Sequence, residues 1–156
     1  MKTIVFGSDH AGLQLKNFLT STISVDYDIN IIDIGTFTEN SCDYPDYAKD
    51  VCEAVLSVKD SLGILICGTG IGMCIAANKI NGIRCANCCT EYMASMAKKH
   101  NNVNVISMGE RTTSKNLALD IVKIFINTEF EAGRHKKIID KLKKIFLTPK
   151  VNTNSV

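Results

Sequence analysis

Gly63-Ile64-Leu65-Ile66-Cys67-Gly68-Thr69-Gly70-Ile71-Gly72 decides how the rest of the chain is read. A short apolar run that ends in a glycine-rich turn is the pattern of a strand buried on both faces, entering a loop at its carboxyl end. Four other Val/Ile-rich runs share that character: Thr3–Gly7, Ile29–Ile34, Ile83–Cys88 and Val103–Met108. Helical spacing fills the intervals. One helix opens at Leu13, Lys16 and Asn17. Tyr47–Val58 follows, with Val51, Ala54, Val55 and Val58 on one face, then Ile75–Ile80, Glu91–His100 and Thr113–Phe125. With right-handed crossovers, this alternation predicts a three-layer αβα, Rossmann-like α/β fold around a five-stranded parallel sheet. An extra C-terminal helix is expected beyond it, with Ile138, Ile139, Leu142, Ile145 and Phe146 at core spacing. Residues 1–147 read as one domain and 148–156 as a polar tail.

Composition narrows the class. In 156 residues, 46% are hydrophobic and 22% charged, the balance of a soluble globular protein. No apolar run reaches the ~20 residues of a membrane span, and no signal-peptide core precedes the first strand. Seven cysteines, an odd number without a secretion signal, point to reduced thiols and a cytoplasmic location. Residues 1–78 carry 4 Lys/Arg against 10 Asp/Glu, whereas residues 79–156 carry 14 against 6. The basic excess is densest in Arg134-His135-Lys136-Lys137 and Lys141-Leu142-Lys143-Lys144. Such a cluster can meet phosphate, nucleic acid or a membrane surface. A solvated helix face accounts for most of these lysines, and neither nucleic acid nor membrane is expected as a partner.

Ligands in open parallel sheets sit beyond the carboxyl ends of the strands, near the switch in strand order. After the first strand comes Gly7-Ser8-Asp9-His10-Ala11-Gly12. Leu13-Gln14 stands where a Walker loop needs Lys and Ser/Thr, so that site is excluded. What remains is an Asp-His pair in which Asp9 either serves the site or caps the next helix. The turn after the third strand is GxGxG, not the dinucleotide GxGxxG, and its glycines let backbone N–H groups approach an anion. A cysteine phosphatase would need Arg where Met73 stands, and a response regulator would need Asp where Cys67 stands. Cys67 as a thiolate can be nucleophile, metal ligand or general base. The other six cysteines read as small buried hydrophobes. Cys85-Ala86-Asn87-Cys88 has metal-site spacing but lies in a strand with no second pair, so no metal is expected. His100 is either a helix C-cap or an acid/base group, and Arg111 and Arg134-His135 are placed to meet a phosphate.

Five motifs occur in order: Gly7–Gly12, Asp43-Tyr44-Pro45, Cys67–Gly72 with Ala76-Ala77-Asn78-Lys79, His100-Asn101, and Gly133-Arg134-His135. In these the chain resembles ribose-5-phosphate isomerase type B, within the group that includes galactose-6-phosphate isomerase subunits, from Met1 to about Phe146. The resemblance implies interconversion of ribose 5-phosphate and ribulose 5-phosphate in the pentose phosphate pathway, with no metal and no cofactor. It makes Cys67 the base; a second branch of the family uses a Glu at the position of Met73. It makes Thr69 a proton shuttle between the enediolate oxygens and gives the N–H groups of Gly68, Gly70 and Gly72 the oxyanion. His100 opens the sugar ring, with Asp9 and Tyr44 assisting. Asn101 holds hydroxyls, and His10, Arg111, Arg134 and His135 surround the phosphate. These groups come from two subunits in the family, which implies a homodimer, with a tetramer of two such dimers as the alternative. One departure is Ile138, where the family carries a second Arg; Lys137 or Lys141 can replace its charge but not its bidentate geometry. A hexose 6-phosphate isomerase (allose or galactose) and a non-catalytic sugar-phosphate-binding module are the alternatives. Alkylation is expected to inactivate the enzyme, and substrate to protect it if Cys67 is the target.

Overall fold

The computed structural model describes residues 1–26 and 28–145. Strand β1 (Lys2–Ser8) leads through a single 3₁₀ turn (His10–Gly12) into helix α1 (Leu13–Asp26). There follow β2 (Ile29–Asp33), α2 (Tyr44–Ser57), β3 (Leu62–Cys67), α3 (Ile71–Ala77), β4 (Cys85–Asn87) and α4 (Glu91–Asn101). The described chain closes with β5 (Val105–Gly109), α5 (Lys115–Asn127) and α6 (Gly133–Ile145). The five strands form one all-parallel sheet in the order β2-β1-β3-β5-β4, as the alternation predicted.

Successive residues of a strand point to opposite faces, so a strand covered on both sides must be apolar throughout. Ile4, Phe6, Ile64, Ile66 and Ile106 enter the core under α1, α4 and α5, while Val5, Leu65 and Val105 enter the one under α2 and α3. All six residues of β3 are buried. Cys88 joins the first core and Cys85 packs against the second, so the CxxC spacing points its thiols to opposite sides of the sheet.

Lys16 is wholly buried in α1, ion-paired with Asp33 at the end of β2, its ammonium 4.8 Å from the centre of the Phe37 ring. Removing one partner of a buried pair strands the other charge at a cost of about 3 kcal/mol. The pair therefore pins α1 to the carboxyl edge of the sheet.

Element ends differ from expectation for local reasons. α2 starts at Tyr44 because Pro45 suits the first helical turn. α3 starts at Ile71, not Ile75, because Gly70 turns the chain in a left-handed conformation just before it. β4 is only three residues long: the Arg84 N–H bonds to the Asn104 side chain instead of a neighbouring strand. The C-terminal helix departs most. Ile139 is buried as expected, but Ile138, Leu142 and Ile145 are 52%, 41% and 67% exposed, and the other inward residue is His135. An apolar period identifies a helix face without saying what covers it. Phe146 and the tail 148–156 lie outside the described residues.

Candidate active site

Strand order reverses between β1 and β3, so the loops after these two strands face each other at the carboxyl edge. Cys67 is buried at the end of β3, and the Gly70 N–H donates to its Sγ at 3.1 Å. That contact depends on the left-handed backbone of Gly70, φ 80°. The turn is latched from β5: Glu110 N–H donates to the Cys67 carbonyl (2.9 Å) and Arg111 N–H to the Gly68 carbonyl (3.1 Å). Arg111 also lies across Gly68, where any side chain would meet its guanidinium, and Tyr44 lies across Gly72 in the same way. Thr69 is exposed at the tip, its Oγ1 accepting from the Ile71 N–H at 3.4 Å.

Across the switch point, Asp9 Oδ1 accepts from the N–H groups of Ala11 and Gly12 at 2.9 and 3.2 Å. Asp9 thus caps the 3₁₀ turn, and the capping and site roles are compatible because the cap uses one carboxylate oxygen. His10 Nδ1 accepts from the Cys42 N–H at 3.2 Å. An imidazole accepting at Nδ1 carries its proton on Nε2, which becomes a donor for an anion. Asp9, His10, Tyr44, Cys67, Gly68, Thr69, Gly70, Gly72 and Arg111 therefore belong to one loop cluster.

His100, Asn101, Arg134 and His135 do not join it. α4 and α5 return the chain to the amino edge of the sheet, where a cavity of about 270 Å³ is lined by Lys2, Leu62, Lys98 and Asn104. His100 lies in the last turn of α4 there, and its ring stacks on His135 at 4.2 Å between centres and 12° between planes. Partial burial, with His100 and Arg134 as positive neighbours, holds His135 below the usual histidine range. The sequence-predicted residues thus form two groups at opposite edges of one chain.

Two contacts escaped sequence reasoning. Asn87 donates to the Thr69 carbonyl at 3.4 Å and accepts from Ser107 Oγ at 3.2 Å, bracing the glycine turn from β4. Glu131, before α6, has Oε2 3.9 Å from the Nε2 atoms of both His100 and His135. Nothing local in the sequence marks Asn87, which acts across long chain separations; Glu131 stands one helical turn before His135, a local signal, but its contact with His100 reaches another helix.

The six other cysteines are not uniform packing. Burial pushes Cys52 and Cys88 up to about 12, the nearby Glu53 charge adding to the effect at Cys52. Cys89 is exposed. Cys74, half-buried on α3 beside a shallow cavity of about 300 Å³, is held down at about 6 by hydrogen bonding with Cys85, and then Ser107, Asn87 and Asn78, against the opposing effect of burial. A thiol with its pKa below 7 is mostly thiolate at neutral pH. Alkylation of Cys74, followed by peptide mass spectrometry, is expected to rise through pH 6 and level off by about pH 8. A rate still climbing at pH 9 contradicts this. Inactivation that substrate does not prevent would trace to a cysteine other than Cys67, and the peptide map separates Cys74 from the exposed Cys89.

The sequence model of the ribose/galactose isomerase family matches residues 4–142. Ribose-5-phosphate isomerase B of Escherichia coli is 40% identical over 145 residues, which span 93% of this chain and 97% of that protein. The solved structure of Clostridium thermocellum ribose-5-phosphate isomerase B superposes with a TM-score of 0.90 at 44% identity, covering 94% of this chain and 98% of that one. That of the Mycoplasma genitalium ribose-5-phosphate isomerase B, with ribulose-5-phosphate bound, gives 0.89 at 36% identity, covering 94% and 97%.

Proposed function

The chain belongs to the ribose/galactose isomerase family, and from that premise we propose that it is an aldose–ketose isomerase interconverting ribose 5-phosphate and ribulose 5-phosphate. The observation that carries the reading is Cys67, its sulfur held by the Gly70 N–H at the mouth of a glycine turn. A hydrogen α to a carbonyl is weakly acidic, so isomerisation needs a placed base and stabilisation of the developing oxyanion. Cys67 removes the C2 proton and returns it to C1. Backbone N–H groups of Gly68 and Gly72 face the enediolate charge, the Gly70 N–H expected to join them being taken instead by Cys67 Sγ, and the Thr69 hydroxyl relays a proton between O1 and O2. His100 opens the sugar ring, with Asp9 and Tyr44 hydrogen-bonding to it. Asn101 holds hydroxyls, while His10, Arg111, Arg134 and His135 take the phosphate. No metal or cofactor enters these steps. A non-catalytic binding module has no use for Cys67, Thr69 and His100 together.

The separation of His100 from Cys67 within one chain is the reason to assign the working unit to a homodimer, each site drawing on both subunits. Ile71 and Ile75 beside the glycine turn, and Ile138 and Ile145 on α6, are more than half exposed and supply apolar surface for a second copy. The free thiols suit a reducing, cytoplasmic setting. Mixing two inactive variants, Cys67→Ala and His100→Asn, tests the arrangement. After subunit exchange, hybrid dimers carry one intact site, and about a quarter of wild-type activity is expected to return. Activity that stays absent after demonstrated exchange contradicts a shared site.

A further inference from the structure

We propose that His100, Glu131 and His135 form a binding site for a borderline divalent cation of the zinc and nickel class, and that filling it inhibits the isomerase. The inhibition rests on the ring-opening role given to His100 above; the site itself does not. The donors come from three places in the chain: the last turn of α4, the loop between α5 and α6, and the first turn of α6. Their ligand atoms all lie within 4.8 Å of one another. Backbone contacts fix them there before any ion arrives. The Glu131 N–H donates to the Lys99 carbonyl at 3.1 Å, next to His100, and the His135 N–H donates to the Ala132 carbonyl at 2.9 Å. Ala132 and Gly133 both take left-handed backbone, φ 52° and 49°, which turns the chain sharply enough to set His135 over His100.

Two imidazoles and a carboxylate are a donor set that zinc and nickel favour over calcium or magnesium. Metal–ligand bonds of about 2.0–2.1 Å in a tetrahedron hold donors about 3.3 Å apart. Glu131 Oε2 is 3.9 Å from each Nε2, so the carboxylate closes by roughly half an ångström and the stacked rings tilt to share one focus. Glu131 and His100 are partly exposed, which gives both the movement and a fourth position for water. Lys99, 4.0 Å from Glu131, is the cation displaced. A ring nitrogen bonded to a metal can neither accept nor donate a proton, so the ion takes His100 out of sugar-ring opening.

The test compares nickel ion binding by titration calorimetry with isomerase activity, on the full-length reduced protein and on Glu131→Gln and His135→Gln variants. Glu131 has no part in the proposed catalysis, so Glu131→Gln is expected to keep chelator-treated activity within about twofold. Its nickel affinity at this site, and its sensitivity to nickel inhibition, should both fall by more than about tenfold. His135→Gln should lose the same site. Thiol-bound nickel persists in all three proteins, so the differences isolate the trio. Affinity and inhibition unchanged in both variants overturn the proposal. Binding lost in the variants without inhibition of the wild type leaves the ion site standing and removes the role given to His100.

Discussion

Replacing Cys67 with alanine is expected to lower kcat for ribose 5-phosphate by roughly 10²–10⁴-fold while KM changes little, because a positioned proton-transfer group contributes on that order. The substitution removes one sulfur from a packed environment that includes Met73 and Val105. Its cost in stability is about 1 kcal/mol, the scale of deleting a methyl-sized buried group, so the variant stays folded. Binding should survive, since the phosphate and hydroxyl contacts lie on other residues. Near-normal turnover in the variant would transfer the base to another residue of the turn and remove the central element of the mechanism.

Gly70→Ala should be nearly as damaging to activity, and far more so to stability. A Cβ at Gly70 would lie 2.3 Å from Asn87 Oδ1 and 2.7 Å from the Met108 carbonyl carbon, with φ fixed at +80°. Left-handed strain and overpacking against the β5 backbone together cost about 3 kcal/mol. That is roughly 10 °C in Tm for a domain of this size. The turn must also move away from Cys67, so kcat/KM should fall by about 10²-fold or more, as misplacement of about 1 Å does. Gly133→Ala provides the contrast: φ is +49°, but nothing lies within 4 Å of the new Cβ. Only the strain remains there, about 1 kcal/mol. Equal losses of stability at the two positions would show that packing around Gly70 is not what the turn depends on.

The parallel sheet was legible because burial on both faces leaves so little latitude. Ile4, Val5 and Phe6 must all be apolar, whichever way each points, and the same holds for Ile64, Leu65 and Ile66. Strand order and element ends were less legible, since they depend on contacts made elsewhere. Val103 looks like part of β5, yet its N–H closes α4 on the Ala97 carbonyl. The apolar stripe of α6 misled because Ile138 and Leu142 face outward from this chain. In the site, motif residues were visible as types in order: a thiol at a strand end, a glycine turn, an Asp-His pair. The bracing of the turn by Asn87, the tautomer of His10 set by the Cys42 backbone, and the Glu131 contact with two histidines were not. Apart from Glu131 and His135, which are four residues apart, each joins residues distant in sequence and leaves no local pattern. The same is true of Cys74, whose acidity comes from its partners and not from its place in α3.

The central claim is a proton moved through an enediolate by the protein alone. Proton NMR of ribose 5-phosphate incubated with the enzyme in D2O, with a chelator present, addresses it most directly. The account predicts conversion to ribulose 5-phosphate carrying solvent deuterium at C1. No conversion under these conditions, or a product that keeps the original C2 hydrogen at C1 in full, would contradict it.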